Sequence, residues 1–407
     1  MIKKRIINKP FWIEILEVKK IFKLFGKNNI KIVGGAVRHV LNGQHTNDID
    51  LAVNVAPEIV KGILKKNNIS YVDLSKGHGT VSLKTKTYKI EITSLRKDEI
   101  TYGRKAKVSF TNNFTLDAQR RDFTINAIYS DYEGILFDPF NGCTDLKNKK
   151  VKFIGQPEER ISEDYLRMLR YFRFIAIYNN NNKNLDAGSL NACIKKFSYI
   201  KNLAKERINI EFSKLLISKY ASYSLILMKK NNLLNFIIKG LQNLKITELD
   251  LIKKLPQCKL IRTSFLFFNT NLDFEELKIS LKKSNNEINM IKKICTNKKL
   301  INKLKDAKKL KYTLGDEVAL KNYILVCCIN KKKVNKKIVN ILNTWEIPSL
   351  PVNGFDIIKF KGIKKENIKN ILANLEEWWI NNSFRPNKSQ CISKIEELVS
   401  SNTLGEA

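Results

Sequence analysis

The sequence predicts an α+β head followed by an all-α body. Three observations carry that expectation. Short apolar runs punctuated by turn residues crowd the N-terminal part of the chain. From about Glu158 onward, Leu, Ile and Phe recur at three- and four-residue spacing with Lys between them. Glycine and proline are sparse in that second region. A chain of 407 residues is also too long for one ordinary core, so a modest first domain followed by further helical domains is expected.

Residues 11–26 place Phe11, Ile15, Val18, Ile21 and Phe22 at helical spacing, and Gly26 is positioned to stop that helix. Residues 30–33 read as a strand, Gly34-Gly35 punctuates it, 36–41 reads as a helix and 49–53 as a second strand. Segments 71–74, 80–84 and 88–95 are further strands, and in the last Ile90 and Ile92 alternate against Glu91 and Thr93. A boundary is expected near Gly155-Gln156-Pro157, and the tail after Thr403 reads as disordered.

Lys and Arg number 74 against 39 Asp and Glu, a formal charge of +35, which points to a polyanionic partner with nucleic acid ahead of an anionic membrane. The chain is rich in Lys, Asn and Ile throughout, so compositional bias supplies part of that excess and the charge alone carries little. Seven scattered cysteines without a C-x-x-C pair argue against disulfides and structural zinc. The basic start is followed by no long apolar stretch, and runs such as 323–329 are too short to span a bilayer, so a soluble, cytoplasmic protein is expected.

Asp48 and Asp50 flank Ile49 on a predicted strand, where positions two apart share a face. Two carboxylates side by side repel unless a cation lies between them, and hard oxygen donors on one face suit Mg²⁺. Glu91, on another strand and opposite in face to Ile90 and Ile92, is a candidate third carboxylate. Gly34-Gly35 just upstream permits close backbone approach to a triphosphate. Taken alone, a D-x-D is a turn or a solvated edge; with the glycine pair it reads as a phosphoryl-transfer site.

Six ordered motifs make this reading specific. They are Gly34-Gly35 with Asp48 and Asp50; His78-Gly79-Thr80-Val81; 91–96 (EITSLR); 117–127 (DAQRRDFTINA); Asp138 to Gly142 with Asp145-Leu146; and Glu163-Asp164-Tyr165-Leu166-Arg167. Over residues 30–175 the chain resembles the bacterial class II CCA-adding tRNA nucleotidyltransferase and poly(A) polymerase family, with Glu206-Arg207 to Glu211 similar to its last motif. The resemblance implies a polymerase-beta-like nucleotidyltransferase head over 1–155, a helical neck and RNA-binding body over 156–282, and a helical C-terminal body or tail over 283–407. It implies catalysis by Asp48, Asp50 and Glu91, with Asp48 and Asp50 binding two Mg²⁺ ions (Mn²⁺ as the alternative). Gly34, Gly35, Arg38, Arg121, Asp122 and Asn126 are implied to hold the nucleotide.

Asp164 and Arg167 are expected three apart on one helix, able to meet a single base edge together. Cytosine and adenine each present an amino donor beside a ring-nitrogen acceptor, so one carboxylate and one guanidinium select both over uracil and guanine. Glu163, Arg170 and Arg173 are candidate supporting residues, the two arginines either on phosphate or in structural pairs. The segment 97–114 is either the mobile loop that family members place here or an ordinary surface loop. Trp378 and Trp379 read as core.

The substrates implied are CTP, ATP and the 3′ end and acceptor arm of tRNA, with no membrane or protein partner. Poly(A) synthesis or partial CCA addition is the rival within the family. CCA addition is favoured by 74–81 (LSKGHGTV) and by the lack of a long basic C-terminal extension. A non-catalytic RNA-binding protein and transfer to a small molecule or protein are the rivals outside it.

Overall fold

The computed structural model describes residues 6–74, 79–102, 105–179, 181–268, 272–360, 363 and 367–403, with backbone only for 98–102, 105–108 and 401–403. His78, part of the stretch 74–81, Gly103, Arg104 and the tail after Thr403 lie outside the described residues. The described chain divides into two compact units, one running to Lys253 and including Leu272–Lys283, the other formed by Lys254–Asn271 and by Ser284 onward. The expected boundary at 155 falls within the first unit.

The first unit opens with α1 (Leu16–Phe25), stopped by Gly26 at φ +80°. Then come β1 (Ile30–Val33), α2 (Gly35–Leu41), β2 (Asp48–Val53), α3 (Pro57–Lys66), β3 (Tyr71–Asp73), β4 (Thr80–Leu83) and β5 (Lys89–Ser94). With β8 (Tyr129–Ser130) and β9 (Leu136–Phe137) these strands form a seven-stranded sheet ordered β3-β4-β5-β2-β1-β8-β9, in which β2 and β5 run parallel and every other pair antiparallel. Ile49, Leu51 and Val53 of β2 and Ile90 and Ile92 of β5 are fully buried. Their burial fixes the register, because a one-residue slip would send every apolar side chain to the wrong face.

The segment expected as a loop is instead an antiparallel hairpin of β6 (Arg96–Tyr102) and β7 (Lys105–Phe110), with a register shift between Asp98 and Ile100. Its polar composition hid the pairing, since backbone hydrogen bonds need no apolar alternation. The strands β8 and β9, two residues each, are also too short to leave a periodic signal.

Helices α4 (Phe114–Gln119) and α5 (Gly142–Lys147) lead to α6 (Pro157–Glu163), α7 (Leu166–Tyr178), α8 (Ala187–Lys196) and α9 (Lys205–Leu216). One face of α7 buries Met168, Leu169, Tyr171, Phe172 and Ile175, and the helix packs against α9 and the helix Ala221–Lys230. Arg167, Arg170 and Arg173 lie on its remaining face. The second unit is all-helical among the described residues. Its Trp379 is 2% exposed and donates from Nε1 to the Pro386 carbonyl at 3.0 Å, in a cluster with Trp378, Leu375 and Ile395, as expected of core.

Candidate active site

The parallel pairing of β2 with β5 sets Asp48 opposite Lys89 and Asp50 opposite Glu91. Directly opposed residues share a sheet face, so three carboxylates and one ammonium gather on the side away from Ile49 and Ile90. Lys89 Nζ reaches Asp48 Oδ1 at 3.4 Å and is in contact with Glu91. Burial, then the neighbouring Asp48 and Glu91, push the Asp50 carboxyl up to about 6. That is an excess of negative charge which a cation relieves. Among the described residues no three acidic, His or Cys side chains form a closed metal cage. The donor chemistry nevertheless suits a hard divalent ion: oxygen ligands on one face, with the exposed Lys89 ammonium between two of them.

Gly34 caps the start of α2 at φ +70°, a conformation that strains any residue with a side chain, and donates its N–H to Ile128 at 3.2 Å. A Cβ built on Gly35 would meet nothing within 4 Å, so the space before it is open. Both glycines border a cleft of about 530 Å³ lined by seven arginines and four aspartates. The carboxylates of β2 occupy one side, and the arginines suit a polyphosphate.

Three ion networks hold those arginines. Arg121 donates to Asp117 at 3.0 Å, to the Tyr129 hydroxyl at 3.0 Å and to the Asn126 carbonyl at 3.4 Å. Burial alone would raise the Asp117 pKa, but Arg121, Arg120 and the Tyr129 hydroxyl hold it well below the usual carboxylate range. In the second network Asp122 accepts from Asn126 at 2.6 Å and, through one oxygen, from Nε and Nη2 of Arg170 at 2.7 and 2.6 Å. Burial is again outweighed by Arg170 and Asn126, and the Asp122 carboxyl stays ionised. Asn126 accepts in turn from Arg38, which also bonds the Tyr178 hydroxyl at 3.1 Å. Arg173 pairs with the buried Glu211 at 2.5 Å, so both supporting arginines are ion-paired and still border the cleft.

The third network corrects an expectation. Asp164 and Arg167 do not share a helix. Asp164 lies between α6 and α7 with extended dihedrals, φ −153° and ψ 107°, while Arg167 is in the first turn of α7. The cause is the aspartate itself, whose Oδ1 accepts from Leu166 N–H at 3.1 Å, a local turn that competes with helix continuation. Both still line the cleft. Asp164 Oδ2 accepts from Arg207 Nη2 at 2.7 Å, and Arg167 Nη1 donates to Glu163 and to the Arg160 carbonyl.

Of the residues singled out in the sequence, Gly34, Gly35, Arg38, Asp48, Asp50, Arg121, Asp122, Asn126, Asp164, Arg167, Arg170 and Arg173 line this one cleft. Glu91 and Glu163 do not; the first stands beside Asp50 and the second holds Arg167. Sequence reasoning missed Arg120, Phe174 and Arg207 as cleft residues. Phe174 sits four residues beyond Arg170 on the same ridge, and Arg207 lay within a motif already noted. The motif 138–145 is a support: Asp138 accepts from Gly142 and Cys143 N–H at 2.7 and 2.9 Å, and Asp145 accepts from Thr124 at 2.6 Å, bracing the turn that carries Asn126.

Comparison with known proteins identifies the relatives of this chain. A family model described as the poly A polymerase head domain matches residues 30–152, and one described as the probable RNA and SrmB-binding site of polymerase A matches 184–245. The chain is 32% identical over 393 residues to the mitochondrial CCA tRNA nucleotidyltransferase 1 of Homo sapiens, covering 93% of this chain and 90% of that relative. It is 34% identical over 256 residues to the CCA-adding enzyme of Leuconostoc citreum, covering 61% of each. The crystal structure of the Bacillus stearothermophilus CCA-adding enzyme in complex with CTP superposes with a TM-score of 0.81 at 24% identity, covering 98% of this chain and all of that one, a likeness of fold.

Proposed function

The chain belongs to the family of CCA-adding tRNA nucleotidyltransferases, and from that premise we propose that it adds CCA, from CTP and ATP, to the 3′ end of tRNA without a nucleic-acid template. The observation that carries the reading is a single cleft bordered by Asp48 and Asp50, by Asp164, and by seven arginines with Arg167 among them.

In this reading Asp48 and Asp50 hold Mg²⁺ with Glu91 beside them, and the bound ions supply Lewis-acid activation of the RNA 3′-hydroxyl and neutralisation of the triphosphate. Arg121 and its neighbours bind the triphosphate, and Asp122, fixed by Arg170 and Asn126, orients the ribose end. Asp164 and Arg167 read the base. Each keeps capacity for this: a carboxylate oxygen has two lone pairs, and of Arg167's five N–H donors the described bonds use only those on Nη1. Uracil or guanine would leave a buried donor or acceptor unpaired, at about 1–3 kcal/mol for each group.

The seven cysteines are free thiols, which fits a reducing compartment such as the cytoplasm. Among the described residues no helix is long and apolar enough to cross a membrane. The head-domain match carries the name of poly A polymerase, which keeps poly(A) synthesis as the second reading. Incubation with tRNA lacking its CCA end, and with each nucleotide alone and together, separates them. CCA addition gives C incorporation from CTP, followed by one A once ATP is present. Long A tracts without C would overturn it.

A further inference from the structure

We propose that Tyr165 and Tyr199 form a stacking platform at the rim of the cleft for a nucleobase at the single-stranded 3′ end of the RNA. The inference rests on the functional reading above and adds to it a seat for the RNA.

Tyr165 lies in the chain between Asp164 and Leu166, both of which line the cleft. Its ring lies flat on that of Tyr199, with centroids 4.9 Å apart and planes at 10°. Tyr199 comes from the short 3₁₀ turn Phe197–Asn202, which is anchored by the fully buried Phe197 and Ile200. Tyr199 itself remains 46% exposed. At that exposure, with Tyr165 stacked on one face, Tyr199 keeps a large part of its surface accessible to solvent. The other two stacked aromatic pairs among the described residues, Phe153–Tyr171 and Phe174–Tyr178, each contain a ring no more than 2% exposed. Neither Tyr165 nor Tyr199 has a protein hydrogen-bond partner for its hydroxyl among the described residues, so the pair is held by ring contact and by the turn beneath it.

The charge around the pair selects the kind of partner. Lys201 on the same turn and Lys205 at the start of α9 have no carboxylate partner among the described residues, and Lys195 and Lys196 stand at the end of α8. Glu158 on α6 pairs with Lys195 at 3.2 Å, and Glu206 on α9 pairs with Lys282. An accessible aromatic ring on the turn that also carries Lys201, in a chain of net charge +35, matches unpaired nucleic acid, whose bases stack while the phosphates follow the positive charge. One ring is too little apolar surface for a lipid or an amphipathic helix. Tyr199 also falls within 184–245, the segment matching an RNA-binding family model.

The test uses a tRNA transcript lacking CCA whose 3′-terminal base is 2-aminopurine, mixed with the full-length protein without nucleotides. Stacking quenches the probe. Quenching is expected with the wild type and with Tyr199→Phe, which keeps the ring, and is expected to be lost with Tyr199→Ala, together with an RNA affinity about five- to thirtyfold weaker. Calorimetric CTP affinity is expected to be unchanged in all three. Equal quenching and affinity in Tyr199→Ala, or a Tyr199→Phe as impaired as the alanine variant, overturns the platform. A wild type that binds this RNA yet adds no nucleotide to it overturns the functional reading instead.

Discussion

Arg207 on α9 donates from Nη2 to Oδ2 of Asp164 at 2.7 Å, joining a helix some forty residues downstream to the carboxylate expected to read the base. The bond leaves Oδ1 to the Leu166 N–H and so fixes the carboxylate from both ends. Replacing Arg207 with leucine frees Asp164 to turn. KM for CTP and ATP is expected to rise about tenfold, with increased UTP misincorporation, because a base-reading group that is not pre-positioned discriminates less. Steady-state kinetics with each nucleotide check this, and Arg207→Lys is expected to recover part of the loss.

Asp122 carries a stability prediction with a sign in pH. Its carboxyl is depressed in the folded state despite burial, because Arg170 and Asn126 stabilise the ion. A depressed acid contributes stability above its unfolded pKa near 3.8, and loses it as pH falls below that value toward the folded one. Asp122→Asn is therefore expected to cost about 2 kcal/mol at pH 7, with the gap to wild type narrowing at pH 3. Urea titrations at the two pH values measure it; a gap unchanged at pH 3 contradicts the assignment.

Asp50 lies under opposite stress, ionised beside Asp48 and Glu91 and largely buried. Asp50→Asn removes that repulsion while keeping the shape. The metal-free variant, in EDTA at neutral pH, is expected to melt about 2–6 °C above wild type although it is inactive. Added Mg²⁺ is expected to shrink the difference by stabilising only the wild type. Thermal scans with and without Mg²⁺ decide it.

Gly142 has no room for a side chain: a Cβ there would meet the Thr124 carbonyl oxygen at 2.2 Å. Gly142→Ala is expected to cost about 2 kcal/mol or more and, by shifting the turn that carries Asn126, to weaken CTP binding. Chemical denaturation and calorimetry measure the two effects, and an alanine variant as stable as wild type would count against this packing.

The parts legible from sequence were those whose signal is local. Ile49, Leu51, Ile90 and Ile92 alternate with Asp48, Asp50 and Glu91, so both the strands and their shared acidic face could be read. The Arg207–Asp164 and Arg173–Glu211 pairs could not, because their members stand 43 and 38 residues apart and only folding joins them. The break at Asp164 is not legible in sequence because a side chain that bonds the backbone N–H two residues on interrupts a helix without changing the spacing of its residues. The hairpin β6–β7 was hidden by its polarity.

The most direct measurement is incorporation of labelled CMP and AMP into tRNA lacking CCA by the variant Asp48→Ala with Asp50→Ala, alongside calorimetric CTP binding. The expected result is a loss of incorporation of about a thousandfold or more, with CTP still bound through the arginines and Asp164. Incorporation at the wild-type rate would contradict the assignment of chemistry to this cleft.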